Sequence, residues 1–390
     1  MKPHHQVLII GGGPAGAAAA HTLAREGVDV AVIDKAAFPR DKLCGGLLTQ
    51  RSRKIYQRIF TSAWDDVVCH TAHGVKFLHQ GRLLSEVLDH RALCFTRRLE
   101  FDQHLLDQAI ARGARVDLGD AVVGIDFTAK RCRLESGREI GYDTLIGADG
   151  VNSLVARGLF GRAFDPRTVA FALELEVDRT HHASALRDPE IHFGVARWGY
   201  AWVFPKRDTL TVGVGGLLAR NPGLKTTFDA FLRDRFGSLP EGRIKGHHLP
   251  FGDYRKVPGR GDVLLCGDAA GLVEPITGEG IAFAMLSGHF AAEAIIESGH
   301  RPALPAYRAR YRDITRDFDH ANRLRHLLFP APCERLFLKA LPASESLAVQ
   351  HLELMADEVG YGEYARHMFT RGMRRLGHTL LCRSAGRGGQ

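Results

Sequence analysis

The chain has 390 residues, room for two or three domains with full cores, and 45% apolar against 25% charged residues is the balance of a folded globular protein, which excludes disorder and a collagen-like repeat. Lys+Arg exceed Asp+Glu by 52 to 44, and the net +8 bears on association with nucleic acid, an anionic membrane or an acidic ligand rather than on fold. Glycine is abundant, at 43 residues, so many backbone positions must turn sharply or approach something closely.

Residues 7–10 (VLII) form an apolar, β-branched-rich run, the pattern of a strand buried on both faces of a parallel sheet. Gly11-Gly12-Gly13-Pro14-Ala15-Gly16 follows and opens an alanine-rich helical run to Arg25, which Gly27 stops. Residues 30–33 read as a second buried strand ending at Asp34, completing a βαβ unit. Residues 101–112 carry apolar side chains at helical spacing, and Gly113 caps them. Strand-like segments follow at 115–118, 121–127, 132–134 and 144–147. Between 171 and 214, short strands (171–177, 191–195, 200–204, 210–214) alternate with turn signals, which predicts a mainly antiparallel sheet. Residues 263–266 form another buried strand, and a Pro- and Gly-rich loop leads into a helix from about 280 to 297. From about 302 the chain reads helical, with Pro305, Pro330, Pro332 and Pro342 as breaks. The predicted fold is α/β: a discontinuous Rossmann-type domain (1–75, 95–165, 255–305), an inserted antiparallel-sheet substrate domain (76–94, 166–254) and a C-terminal helical region (306–390).

Gly11-x-Gly13-x-x-Gly16 directly follows a strand and opens a helix, and Asp34 stands at the end of the next strand, the context that dinucleotide binding demands. Gly11 permits the tight turn. Gly13 lets a pyrophosphate approach the backbone N–H groups of the helix N-terminus, where Pro14 and Ala15 stand, and Gly16 allows close helix–strand packing. Asp34, followed by Lys35, can accept a hydrogen bond from an adenosine ribose hydroxyl. The seven cysteines contain no C-x-x-C pair and no zinc spacing, which predicts a reducing, cytoplasmic setting and no metal site. No signal-peptide pattern follows Met1, and no stretch of about 18 apolar residues predicts a membrane span. The histidine pairs His4-His5, His181-His182 and His247-His248 read as solvated loop residues, and Cys266 as structural.

Residues 264–271 (LLCGDAAG) resemble the second flavin motif of flavoproteins of the para-hydroxybenzoate hydroxylase type. The resemblance implies FAD as cofactor, with Gly267 and Asp268 at its ribityl chain, where a carboxylate makes a charge-assisted hydrogen bond. In residues 274–281 (EPITGEGI) a glycine-rich loop meets a helix start, and a helix N-terminus at Gly278, Gly280 and Ile281 facing the flavin would stabilise the charge of its reduced form. Arg98 in residues 98–102 (RLEFD) resembles the arginine that this type of protein sets near the flavin. Asp149 in residues 147–150 (GADG), with Ser153 and Arg157 after it, resembles the aspartate set near the pyrophosphate. There is no second glycine fingerprint, so no separate NAD(P)H domain is encoded.

Two further segments resemble the geranylgeranyl reductase family. Residues 42–47 (KLCGGL) match its K-x-C-G-G segment. Residues 200–205 (YAWVFP), followed after seven residues by Gly213-Val214-Gly215, match the Y-x-W-x-F-P…G-x-G pattern that lines its prenyl-binding cavity. The resemblance runs from about residue 5 to 300. It implies an FAD-dependent reductase of lipid biosynthesis that saturates C=C bonds of a geranylgeranyl-type isoprenoid chain, with NADPH, NADH or a reduced ferredoxin-like protein as electron donor. The implied substrate residues are Tyr200, Trp202, Phe204, Pro205, Gly213 and Gly215. Read as a strand, residues 200–204 put the Tyr200, Trp202 and Phe204 rings on one face, a wall suited to a long apolar substrate, and Gly213 and Gly215 leave room beside it.

Cys44, with Gly45 and Gly46, is the candidate catalytic segment near the flavin. Cys44 could be a redox thiol, a proton donor or a small buried side chain, and a water held near Gly45-Gly46 is the other proton candidate. No second cysteine stands close enough in sequence for a disulfide relay. The alternatives are an FAD-dependent monooxygenase of an apolar or aromatic substrate and a flavin relay to a membrane quinone. The chain's end, with residues 327–329 (LLF), 336–338 (LFL) and Arg366, Arg371, Arg374, Arg375, Arg383 and Arg387, reads either as a peripheral contact with the inner face of a membrane or as a helical cap on the substrate domain. Nothing resembles a nucleic-acid module.

Overall fold

A computed structural model describes residues 3–179, 186–340, 345–364 and 366. Five parallel strands form its centre, in the order Val263–Leu265, Glu139–Gly147, His4–Ile10, Val30–Asp34, Arg115–Leu118. Their apolar runs are buried because helices cover both faces, as a parallel sheet requires. The antiparallel strands Val122–Asp126 and Arg131–Leu134 attach to Glu139–Gly147, which starts earlier than residues 144–147 suggest.

The helix Pro14–Arg25 lies against the helix Ile281–Ser298 closely enough that a methyl group on Gly288 would overlap the Ala15 carbonyl. Its run Ala17–Ala20 is wholly buried there, so small residues set the distance between the two helices. Ile281–Ser298 is by length and composition apolar enough to cross a membrane, which a search for uninterrupted apolar runs does not find, yet most of it is buried in this core.

A second sheet has seven strands in the order Lys245–Leu249, Ala170–Asp178, Thr209–Leu217, Gly199–Pro205, Glu190–Phe193, Val75–His79, Arg82–Val87. All pairings are antiparallel except that of Glu190–Phe193 with Val75–His79. One face packs Leu175, Val203, Val212 and Val214 against Phe228 and Leu232 of the helix Leu224–Phe236. The other face carries the aromatic residues and looks toward the ends of the parallel strands.

The C-terminal region begins with Leu304–Leu328, packed on Ile281–Ser298 through Tyr307, Tyr311 and Phe318. Ala331–Ala340 and Glu345–Met355 follow. Pro305 and Pro332 stand in the first turns of their helices and start them rather than break them, because a first-turn residue has no intrahelical use for an N–H. Pro342, His181, His182, Arg371, Arg374, Arg375, Arg383 and Arg387 lie outside the described residues. The paired histidines are not uniformly solvated loop residues: His5 is fully buried in a strand beside Asp29, and His247 lies in the edge strand Lys245–Leu249.

Candidate functional site

The carboxyl ends of the parallel strands and the aromatic face of the second sheet enclose one continuous cavity of about 680 Å³. Such strand ends are where open α/β sheets bind ligands. Ile10, Asp34, Ala148 and Cys266 stand at those ends and line the cavity.

The polar half is built on the glycine turn. Gly11 has φ +104°, and a methyl group on Gly16 would overlap the Gly11 carbonyl, so both glycines are needed for the helix to start so close to the strand. Gly13 precedes the helix without any side-chain cap, which leaves first-turn N–H groups facing the cavity. The Asp34 carboxylate accepts from the N–H of Gly12 (2.8 Å) and of Ala36 (2.9 Å). Arg40 reaches over this turn: its Nη2 lies 3.2 Å from Asp102 Oδ2 and its Nε 3.9 Å from Asp34 Oδ2. Arg98 lines the cavity from the start of the helix Arg98–Ala111 and holds Asp102 through two 2.7 Å hydrogen bonds.

Opposite, Lys42 Nζ lies 3.3 Å from Asp268 Oδ2. Burial alone would raise the Asp268 pKa, but Lys42 and other nearby positive charge hold it below the usual carboxylate range. His247 faces the same space with its Nε2 buried and without a partner among the described residues, and burial next to Lys42 lowers its pKa to about 4, so the ring is neutral at pH 7. The helix Ile281–Ser298 starts at Gly280, also without a side-chain cap, and Thr277, Gly278, Gly280 and Ile281 line the wall before it.

Tyr200, Trp202 and Phe204 line the apolar half from one face of Gly199–Pro205, and the Tyr200 hydroxyl donates to the Thr277 carbonyl. Phe77, Ile191 and Phe193 extend the wall. Gly215 borders the cavity, but Gly213 leaves no open space there, because the Trp202 ring lies across it and a methyl group on Gly213 would overlap the indole. Pro205, at the strand end, also lies off the cavity surface. The far wall comes from the C-terminal helices through Leu328, Phe329, Phe337, Leu338, His351 and Leu352. Several apolar residues in which a membrane-facing stripe could be read therefore point inward.

Cys44, Gly45 and Gly46 sit where the halves meet. The Cys44 N–H donates to Glu174 Oε1 (3.1 Å), the Gly46 N–H donates to Cys44 Sγ (3.3 Å), and Cys44 and Arg98 line the same stretch of the cavity. Arg51, buried on the helix Gln50–Ile59, joins the flanking parts: it donates to Glu279 Oε2 (2.8 Å), to the Leu354 carbonyl (2.9 Å) and to Asp357 Oδ1 (3.2 Å).

Residues 4–186 match the FAD binding domain family. A menaquinone reductase of Mycolicibacterium smegmatis is 32% identical over 356 residues, covering 84% of this chain and 85% of that protein. The chloroplastic geranylgeranyl diphosphate reductase of Nicotiana tabacum is 27% identical over 381 residues, 90% of this chain and 78% of its own length. Among solved structures, a geranylgeranyl bacteriochlorophyll reductase-like protein from Thermoplasma acidophilum has TM-score 0.77 at 23% identity and covers 94% of this chain and 99% of its own. The chain belongs to the geranylgeranyl reductase family of FAD-dependent oxidoreductases.

As in that family, the cofactor is FAD, and the residues of this reductase fit it. The glycine turn and uncapped helix start suit a pyrophosphate, and the orphaned His247 Nε2 and the second uncapped helix start suit a polar ring system at the cavity's centre. Gly13, Asp34, Arg98, Gly267, Asp268, Gly278 and Gly280 all border this space, as do Pro14, Ala15, Lys35 and Ile281. Asp149 borders it too, but its carboxylate accepts from Ser153 Oγ (2.5 Å) and the Leu154 N–H (2.7 Å), so it caps the helix Leu154–Phe160 and has little capacity left for a ligand. Sequence reasoning missed Arg40, His247 and Glu174, and named the C-terminal helices as a cap without placing them at the cavity wall. Arg40 had a readable signal, a cation soon after the first βαβ unit; the others are brought in only by the second sheet and the last helices.

Proposed function

We propose that this FAD-dependent oxidoreductase saturates C=C bonds of an isoprenoid chain. The observation that carries the reading is the continuity of the cavity, in which a polar half suited to the dinucleotide opens without a partition into an apolar chamber walled by Tyr200, Trp202 and Phe204. Reduced FAD, when bound, supplies the hydride. An isolated alkene has no carbonyl to polarise, so the protein must supply positioning, a water-poor chamber and a proton. The aromatic wall and the C-terminal helices hold the chain and exclude water, and the Cys44 thiol, or a water at Gly45-Gly46, gives the proton to the second alkene carbon. The relatives are named for menaquinone and for geranylgeranyl diphosphate, which share an isoprenoid chain, and that supports the substrate class. The electron donor is NAD(P)H or a reduced ferredoxin-like protein that reaches the flavin without a dedicated Rossmann domain.

The test is anaerobic. Protein reduced with dithionite and freed of the excess reductant is mixed with geranylgeranyl diphosphate, which has no redox-active head group, and flavin reoxidation is followed alongside product mass. A gain of two mass units per bond with reoxidation is expected. Turnover that requires O₂ and adds an oxygen atom would replace this reading with a monooxygenase.

A further inference from the structure

We propose that Glu174 is a positioning residue for the Cys44–Gly46 loop and that it holds the loop in its neutral, protonated form. The inference rests on the reading of that loop as the border between flavin and substrate. Glu174 lies on the cavity-facing side of Ala170–Asp178, in register with Gly213 of the next strand, which is in register with Trp202. It is 6% exposed. One carboxyl oxygen takes the Cys44 N–H at 3.1 Å, while Oε2 is buried and has no partner among the described residues.

The loop has no slack on its other sides. A methyl group on Gly45 would lie 2.8 Å from the Phe204 ring and 3.3 Å from Trp202 Nε1, itself buried and unpartnered. One on Gly46, whose φ is +74°, would overlap the Thr96 carbonyl and lie 3.1 Å from Lys206 Nζ. The loop is therefore held between the aromatic wall on one side and, on the other, the Thr96 N–H donated to the Gly46 carbonyl (2.9 Å) and the Cys44 N–H donated to Glu174.

Ionising that carboxyl would leave an unsolvated charged oxygen at Oε2, which is far costlier to bury than a neutral hydroxyl. The charged groups facing it are Lys206, Glu176 and Lys245. Lys206 Nζ lies 3.6 Å from Glu176 and Lys245 is paired with Asp41, so both cations favour the ionised form of Glu174 only from a distance and do not outweigh its burial. Burial pushes the Glu174 pKa up to about 7 despite Lys206. The Cys44 N–H bond itself favours the anion but does not outweigh burial, so near neutral pH the proton on Glu174 sets the cost of keeping this side chain, and the loop it anchors, packed under the sheet.

The test compares wild type, Glu174→Gln and Glu174→Ala, all FAD-loaded, at pH 6 and pH 8. Glutamine keeps an acceptor for the Cys44 N–H and cannot ionise. Single-turnover reoxidation by geranylgeranyl diphosphate should fall about tenfold from pH 6 to pH 8 in wild type. It should stay level in Glu174→Gln, within about threefold of the wild-type pH 6 value, and be at least about tenfold low at both pH values in Glu174→Ala. A wild-type-like pH break in Glu174→Gln, or Glu174→Gln as slow as Glu174→Ala at both pH values, overturns the proposal. A second readout needs no substrate: alkylation of Cys44 by iodoacetamide, followed on its peptide by mass spectrometry. Glu174→Gln and wild type should react alike at pH 6 and diverge at pH 8, with Glu174→Ala differing from both at pH 6. Equal rates in all three proteins at both pH values overturn the proposal even if no prenyl compound reoxidises the flavin, a result that would instead sink the proposed function.

Discussion

A methyl group at position 213 would run into the indole of Trp202, which crosses that strand to form the cavity wall. Gly213→Ala should therefore keep FAD but tilt the ring, at about 1–3 kcal/mol of overpacking, and lower prenyl turnover more than stability. Bound-flavin absorbance and single-turnover rate, measured together, check this. Equal loss of flavin and turnover would make Trp202 simple sheet core. Asp268→Ala should do the reverse: it leaves the half-buried Lys42 without its partner and should weaken FAD retention in gel filtration, and normal retention would remove Asp268 from the cofactor site. The aromatic wall is legible from period-two spacing alone, because alternation fixes which face a strand residue takes. What that spacing leaves out is which side chain crosses a neighbouring glycine, so Gly213 reads as open space when it is the floor under an indole. Glu174 and His247 escape for the same reason. A carboxylate in an alternating strand reads as solvent-facing until the opposite layer is known to cover it.

At the level of elements, the first βαβ unit reads cleanly because its ends carry their own punctuation, Gly11 to Gly16 at one turn and Gly27 at the other. The last three helices carry no such motif, and their apolar residues fit a membrane face and an internal cap equally well. In the fold Leu328, Phe329, Phe337 and Leu338 line the cavity, a placement that their spacing in the sequence does not distinguish from a membrane-facing one. One of the ties that hold the last helix is Arg51, which links Glu279, before the helix Ile281–Ser298, to Leu354 and Asp357 beyond the cavity, beside the contacts of Lys54, His90 and Arg91 with residues 353–358. Arg51→Ala strands a buried Glu279 carboxylate and should destabilise the protein by about 3–5 kcal/mol, a change readable in the urea midpoint. Arg51→Lys, which offers a point charge without the forked geometry, should recover only part of it. A midpoint unchanged in Arg51→Ala would mean that these helices are held mainly by Tyr361, Tyr364 and their neighbours.

For the molecule as a whole, stability in mild acid follows from buried groups rather than from the net +8. Burial lowers His21, His247 and His351 to a pKa of about 4, whereas the unfolded chain protonates them near 6.5. The unfolded state then binds the extra protons, so stability falls as pH drops from about 6.5 toward 4. Glu174 has the opposite sign: its raised pKa makes the fold bind the extra proton between about 4.5 and 7, so its contribution grows as pH falls. Each of these histidines alone costs the fold roughly 1.5 kcal/mol between pH 6.5 and pH 5, at about 1.4 kcal/mol per proton per pH unit, and Glu274 and Asp317, also raised by burial, act with Glu174 against that loss. Guanidinium denaturation of wild type and His21→Leu at the two pH values isolates one histidine: the variant should lose about that much less stability on acidification, and an equal change in both proteins would show that the His21 imidazole is not buried neutral in solution. The Arg51 bridge has a further consequence for engineering. A donor protein's terminal helices grafted onto this chain to change chain-length preference would arrive without their matching contacts to residues 51 and 279, so a graft cut at residue 304 should lose flavin before it changes specificity. The exchangeable module is the C-terminal helices together with the Gln50–Ile59 helix and the 274–281 loop.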